Sequence, residues 1–463
     1  MTTIARAALL LAVLVGAIAG VQTPADTAAA AAVAPLQPNI VVIMTDDQPL
    51  GRLDAMPKVR SLIKSEGVTY PYSMVPTSLC CPSRTSFLTG RYSHETGVYQ
   101  NSPPYGGWPL FHDSGAESHT LATWLNASGY ETALVGKYLN YLIKSDPGYT
   151  PPGWDTFVGL LRGGYYYKYT LRSQINGVTT DTTYGSAPKD YSTDVLAAQA
   201  VATIEQAPTT KPLFLVFTPL APHGPMTPAP RHDGLWPTEG PTTPDVNERY
   251  MGDKPAWMQD LGLVSETDLT RKITDQHNSL MAVDEAVQDI VTALGDRAAN
   301  TLFVFTSDNG LMLGSHRWSG KAMPHAASTL VPLLLRWDGH IAPGSVDERI
   351  ALNVDVTATI LQAAGVDQAT SGFSLLDPSA RTGTVLEAMK DEDRFRPAYC
   401  GWRTKRWLFV QWTDNLGREL YDYRKDPYEL HNLADNPAYL ERMITMRDNA
   451  KDACSPVPPG FTW

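Results

Sequence analysis

Five short runs of β-branched and apolar residues, at 39–44, 131–135, 213–217, 302–306 and 330–335, lack the alternation expected of a strand with one wet face. A strand that is apolar on both sides must be covered on both sides, as the inner strands of a parallel sheet are. Between the runs lie stretches with helical periodicity, at 192–206, 275–294 and 355–364, the last stopped by Gly365. Strands alternating with helices predict an α/β fold, a mostly parallel sheet flanked by helices. The chain has 463 residues, and single cores seldom grow past roughly 250 to 300, so one large domain plus a small one, or two to three ordinary domains, is expected. The texture does change near residue 372, after which Trp, Tyr and Arg become dense, as in Tyr399-Cys400-Gly401-Trp402-Arg403. That region reads as a small antiparallel sheet followed by a helix near 437–451, an α+β unit. No internal repeat is visible. The prolines of 219–255 forbid regular ladders and mark a loop on the rim of the α/β part.

Polar residues interrupt the pattern just past the predicted strand ends: Asp46 and Asp47, Lys137, His223, and Asp308 with Asn309. In open α/β sheets the carboxyl ends of the strands carry the ligand site. Residues some 260 positions apart are thereby expected on one rim. A net charge of -11 argues against nucleic acid as a partner, because a phosphate backbone is met by clustered Lys and Arg. Arg6 precedes an apolar run at 7–20, and Ala17-Ile18-Ala19 fits a signal-peptidase site. This predicts export, with residues 1–36 as signal peptide and leader; an uncleaved N-terminal anchor is the alternative. No other stretch is apolar over the about 20 residues that a membrane-spanning helix needs. Of the four cysteines, Cys80 and Cys81 are adjacent and neighbours seldom bridge, which leaves Cys400 and Cys454 as the candidate pair.

Cys80-Cys81-Pro82-Ser83-Arg84 runs on to Thr89-Gly90 and is identified as the C-x-P-S-R-x-x-x-x-T-G signature of the sulfatase family. Chance would produce it on the order of once in 100,000 chains. The local physics agrees, since Pro82 suits a first helical turn and leaves residue 80 at a helix N-terminus, where N–H groups and the dipole favour an anion. The resemblance implies an alkaline-phosphatase-like catalytic domain over 37–371 and a C-terminal α+β subdomain over 372–463. It also implies that a separate formylglycine-generating enzyme oxidises Cys80 to formylglycine, whose hydrate attacks sulfur.

Thr45-Asp46-Asp47-Gln48 resembles the family's first metal-binding turn and Ser307-Asp308-Asn309-Gly310 its second. Asp46, Asp47, Asp308, Asn309 and the modified residue 80 make an all-oxygen site for a hard cation, by family precedent one calcium ion. Arg84, Lys137, His223, Lys321 and His316 match the family's residues for holding the hydrate, binding sulfate and transferring protons, with His223 or Lys321 protonating the leaving alcohol. One departure stands out: many sulfatases carry His two residues after the lysine, where this chain has Leu139, and Asn140 is the candidate replacement. Lys137-Tyr138-Leu139-Asn140 and Thr227-Pro228-Ala229-Pro230 resemble the glucosamine-6-sulfatase branch. The expected substrate is a sulfated saccharide, such as N-acetylglucosamine-6-sulfate or a glycosaminoglycan, or an aryl sulfate. Two rivals are a phosphonate or phosphodiester hydrolase of the same superfamily and an inactive carbohydrate-binding protein. The tyrosines of 165–169 precede an Asn176-Gly177 hairpin signal and suit either packing or sugar stacking.

Overall fold

Ten strands form one sheet, in the spatial order Ser345–Val346, Val68–Thr69, Leu333–Arg336, Thr301–Ser307, Asn39–Thr45, Leu213–Thr218, Glu131–Gly136, Thr156–Leu160, Thr170–Ile175, Val178–Thr183. The computed structural model describes residues 37–161 and 165–463; the signal-peptide and leader reading falls on residues 1–36, outside them. The four central strands, from Thr301–Ser307 to Glu131–Gly136, run parallel, in a register that pairs Thr45 with Ser307 and Gly136 with Thr218.

Successive residues of these strands serve opposite cores. Ile40, Val42, Phe214, Val216, Leu302 and Val304 face the helices Cys80–Thr89, Leu121–Ala127 and Asn353–Ala364. Val41, Ile43, Leu215, Phe217, Phe303 and Phe305 face Ser192–Gln206 and Glu266–Leu294. Both layers exclude water, which is why the runs do not alternate. The sheet is mixed at its edges. The run at 330–335 becomes the strand Leu333–Arg336, antiparallel to Thr301–Ser307. Thr170–Ile175 and Val178–Thr183 form an antiparallel hairpin whose turn places Asn176 and Gly177 at φ of 52° and 75°. Two left-handed residues in sequence are what such a two-residue turn needs. The helix read at 275–294 starts earlier, at Glu266, where Ser265 accepts the Asp268 N–H; its first turns are too polar to show apolar periodicity. Tyr166 and Tyr169 are buried and stack on Tyr191 and Tyr184, so these two pack the fold.

In the C-terminal region Thr384–Ala388, Tyr399–Arg403, Trp407–Trp412 and Arg418–Asp422 make a four-stranded antiparallel sheet. Helix Leu440–Ala453 lays Met443, Met446 and Ala450 against Trp407, Phe409 and Leu420. The other face packs on Met312, Trp318 and Met323 of the α/β part. Cys400, on the second of these strands, is bonded to Cys454 at the end of the helix, with Cα atoms 6.2 Å apart. A helix whose exposed side is polar gains little stability alone, and the bond holds its end to the sheet. Non-reducing peptide mapping should recover the Cys400 and Cys454 peptides as one linked species. Replacing both by Ser should cost about 2–4 kcal/mol, seen as a lowered Tm.

Candidate active site

The four central parallel strands end at one level, and each hands a charged residue to the rim. Asp46 and Asp47 follow Asn39–Thr45, Lys137 follows Glu131–Gly136, and Asp308 and Asn309 follow Thr301–Ser307. His223 comes five residues after Leu213–Thr218. Backbone contacts lock the rim: Asp47 N–H donates to Asp308 Oδ1 at 3.1 Å, and Gln48 N–H to Ser307 Oγ at 2.9 Å. Lys137 N–H donates to Thr218 O at 2.8 Å. This crossing is possible because residue 136 is glycine, at φ 126°, where a Cβ would lie 2.0 Å from the Thr218 carbonyl oxygen.

Cys80 opens the buried helix Cys80–Thr89 and sits beneath that rim. Its Sγ lies 3.4 Å from Asp46 Oδ1 and 2.7 Å from Lys321 Nζ. Lys321 also donates to Asp47, and Lys137 donates to Asp46. Arg84, one helical turn below Cys80, donates to Asp308 Oδ2 through Nε and to the Lys137 carbonyl through Nη1, both at 2.8 Å. His223 donates from Nδ1 to Gly224 O at 2.6 Å and turns Nε2 toward Asp47 Oδ2 at 3.8 Å. Its side chain is 28% exposed, whereas Asp46 and Asp308 are fully buried.

Three carboxylates and three fixed cations thus share a nearly dry space. Burial works to raise Asp46, but the charges of Lys137, His223 and Arg84 outweigh it and hold the carboxyl well below its usual range. Asp47 is likewise lowered, against burial, by Lys321 and His223. Burial pulls Lys321 and Lys137 down, yet Asp47 and Asp46 respectively keep both above the ordinary lysine value. The Cys80 thiol goes the other way: burial, then Asp46, push it up to about 12, so it stays protonated.

Two buried polar atoms of this cluster make no hydrogen bond. Asn309 gives its amide N–H to Asp47 at 2.6 Å while its Oδ1 accepts nothing, and Arg84 Nη2 donates to nothing, its ion-pair contact with Asp46 Oδ2 being 3.6 Å long. An unmet acceptor beside three carboxylates, with the ligand atoms of Asp46, Asp47, Cys80 and Asp308 all within 4.8 Å of one another, fits a hard cation. An unmet guanidinium donor fits an anionic oxygen.

The rim gathers Asp46, Asp47, Cys80, Arg84, Lys137, His223, Asp308, Asn309 and Lys321. His316 is engaged elsewhere, with Nδ1 on Glu248 and Nε2 on Glu429. Leu139 is buried in the apolar core, and Asn140 Oδ1 is a further buried atom without a partner. Sequence reading missed the groups that seat Cys80. Asn101 caps the Cys81 N–H at 2.9 Å, and Ser78 O accepts the Ala322 N–H at 2.8 Å, tying the Lys321 loop to the helix start. Lone Asn and Ser residues in loops carry no pattern that would single them out.

The sulfatase family model matches residues 38–366, and the model described as N-sulphoglucosamine sulphohydrolase, C-terminal, matches 314–454. An arylsulfatase of Volvox carteri is 31% identical over 87% of this chain and 72% of its own length. An N-acetylglucosamine-6-sulfatase of Capra hircus is 28% identical over 88% and 82%. A putative extracellular sulfatase Sulf-1 homologue of Caenorhabditis elegans is 33% identical over 74% of this chain, which spans about half (49%) of that protein. Among solved structures, a protein in complex with its substrate D-glucosamine-2-N,6-O-disulfate superposes with a TM-score of 0.74 at 22% identity, covering 91% of this chain and 99% of that one. The phosphonate monoester hydrolase of Agrobacterium radiobacter gives 0.71 at 19%, covering 90% and 95%. With the signature at Cys80, the rim it sits under and a family match over most of its length, the chain belongs to the sulfatases, enzymes that hydrolyse sulfuric esters.

Proposed function

We propose that the chain is an exported, calcium-dependent sulfatase of sulfated sugars, 6-sulfated glucosamine among them, acting through formylglycine made from Cys80 by a separate enzyme. The observation that carries this is the pair of unmet atoms, Asn309 Oδ1 and Arg84 Nη2, in a charge-balanced cluster around a thiol that stays protonated. Asp46, Asp47, Asp308 and Asn309 would hold the cation, which with three matched charge pairs already present leaves the site net positive and suited to a sulfate monoanion. The sugar specificity is supported by the substrates named for the goat relative and the disulfated glucosamine complex. Export is supported by the extracellular Sulf-1 relative, and no helix among the described residues is long and apolar enough to cross a membrane. The catalytic domain is proposed to span 37–371 and the C-terminal subdomain 372–463.

Formylglycine supplies a geminal diol, one hydroxyl to attack sulfur and a second whose deprotonation expels sulfate, which a thiol cannot do. The remaining work falls to side chains already in place. Lys321 and Asp46 touch the residue 80 side chain, with Arg84 paired to Asp46 behind it, and the three would orient its oxygens. Lys137 and Lys321 remain cationic because each is paired with a carboxylate, so both can neutralise charge gathering on the sulfuryl oxygens. His223, with Nδ1–H committed to Gly224 O, turns Nε2 toward Asp47 Oδ2 at 3.8 Å and would carry a proton from there to the leaving alcohol. Leu139, buried among apolar residues, cannot serve as a base, and Asn140 is proposed to touch the site in its place.

Mass spectrometry of the 65–84 peptide should find formylglycine at 80 and cysteine at 81, with activity tracking the modified fraction. Cys80→Ala should abolish turnover, and Cys81→Ala should largely spare it. Equal activity of fully unmodified protein would overturn the mechanism. Asp46→Ala, Asp47→Ala, Asp308→Ala and Asn309→Ala should each lose bound calcium and activity together, as exhaustive chelation should. Metal analysis alongside initial rates checks this. His223→Ala should lower kcat about 10²- to 10⁴-fold on a sugar sulfate and far less on an aryl sulfate, whose phenolate needs no proton. A panel of sulfated saccharides, an aryl sulfate and an aryl phosphodiester decides the substrate class: sulfate release from N-acetylglucosamine-6-sulfate is expected, and preference for the phosphodiester would move the chain to the phosphonate-hydrolase reading.

A further inference from the structure

His316, expected in the catalytic cluster, instead stands in a second buried one. His316, His325 and Glu429 are all buried, and one ring nitrogen of each histidine and a Glu429 carboxylate oxygen lie within 4.8 Å of one another. The two rings are tilted against each other with centroids 4.6 Å apart. Each imidazole is oriented by a carboxylate on its far side: His316 Nδ1 by Glu248 at 2.6 Å, His325 Nε2 by Glu419 at 3.1 Å. The nitrogens left over are His316 Nε2, 3.4 Å from Glu429 Oε2, and His325 Nδ1, which is buried and makes no hydrogen bond.

We propose that His316 Nε2, His325 Nδ1 and Glu429 form a site for one zinc-class divalent ion. An imidazole whose other nitrogen donates to a carboxylate is the usual outer arrangement of a metal-bound histidine, since the carboxylate sets the tautomer and raises the basicity of the ligand atom. Here the arrangement occurs twice, on neighbouring rings. Ligand atoms about 2.1 Å from a tetrahedral ion stand about 3.4 Å apart, the separation of His316 Nε2 and Glu429 Oε2. Two nitrogens and one carboxylate select zinc over calcium, which prefers oxygen alone. The cluster borders a cavity on its Glu429 side. Glu429 lines a cavity of about 310 Å³ together with Asp245, whose Oδ1 is another buried acceptor without a partner. The ion would join the loop after Thr301–Ser307 to the segment after Arg418–Asp422, clamping the C-terminal sheet onto the α/β part. The inference concerns residues outside the catalytic rim and stands whether or not the substrate reading above does.

The test uses the full chain with calcium saturating, stripped of transition metals and then titrated with Zn²⁺ and with Co²⁺. One Zn²⁺ per chain by metal analysis, a Co²⁺ ligand-field spectrum and a rise in Tm on adding Zn²⁺ are expected. All three should persist in Cys80→Ser, which removes the competing thiol. His325→Ala should lose them, and the near-isosteric Glu419→Gln, its fold checked by circular dichroism, should weaken Zn²⁺ binding about 10- to 100-fold. Binding of less than one equivalent, or binding unchanged in both His325→Ala and Glu419→Gln, would overturn the proposal and leave a His316 imidazolium between Glu248 and Glu429 as the cluster's explanation.

Discussion

Three carboxylates buried within one cluster repel one another and lose their hydration, and each penalty would by itself protonate them or push the strands apart. Asp46, Asp47 and Asp308 escape because Lys137, Lys321 and Arg84 arrive from three different parts of the chain and pair with them one by one. Much of the fold's arrangement can be understood as the means of bringing those cations in. Gly136 lets the chain bearing Lys137 cross against Thr218, Ser78 ties the Lys321 loop to the start of the Cys80 helix, and that helix sets Arg84 one turn beneath Cys80. Losing Arg84 would leave Asp308 a buried carboxylate without its cation, which costs far more than the pair contributes.

The same pairing governs the proposed chemistry. A cluster whose carboxylates are neutralised by fixed cations has charge to spare for an anion once a divalent ion is added, in a chain whose overall charge of -11 would otherwise repel one. Burial that keeps the carboxylates ionised only through pairing also keeps the Cys80 thiol protonated, because Asp46 lies beside it. The residue is poorly suited to act as a thiolate and well placed to carry an oxygen in its stead. His223, partly exposed at the mouth, is the group proposed to pass a proton to the leaving alcohol.

The C-terminal sheet is joined to this body by apolar packing through Met312, Trp318 and Met323, and by the Glu248, Glu419 and Glu429 network around two histidines. The loop that carries His316 leads directly to Lys321.

The fold class was legible in the sequence because a strand dry on both faces leaves an unbroken apolar run, and the runs at 39–44 and 302–306 had no other economical explanation. The family and the rim residues were legible because the Cys80 signature and the two metal-turn segments are contiguous, and contiguous chemistry survives as a motif. The early start of the Glu266–Leu294 helix was not, since polar first turns lack apolar periodicity, nor was the antiparallel direction of Leu333–Arg336, since strand direction is set by pairing and not by local pattern. His316 shows the limit most clearly. Its neighbours in sequence suggested the catalytic cluster, but its ring nitrogens face Glu248 and Glu429, about 70 and 110 residues away in the chain, and no local pattern encodes such distant partners. The sequence by itself determined which residue types could do the chemistry and on which strand ends they lie. Only the tertiary structure decided which of them meet, because meeting depends on strand order and register, and those are settled by packing across the whole sheet.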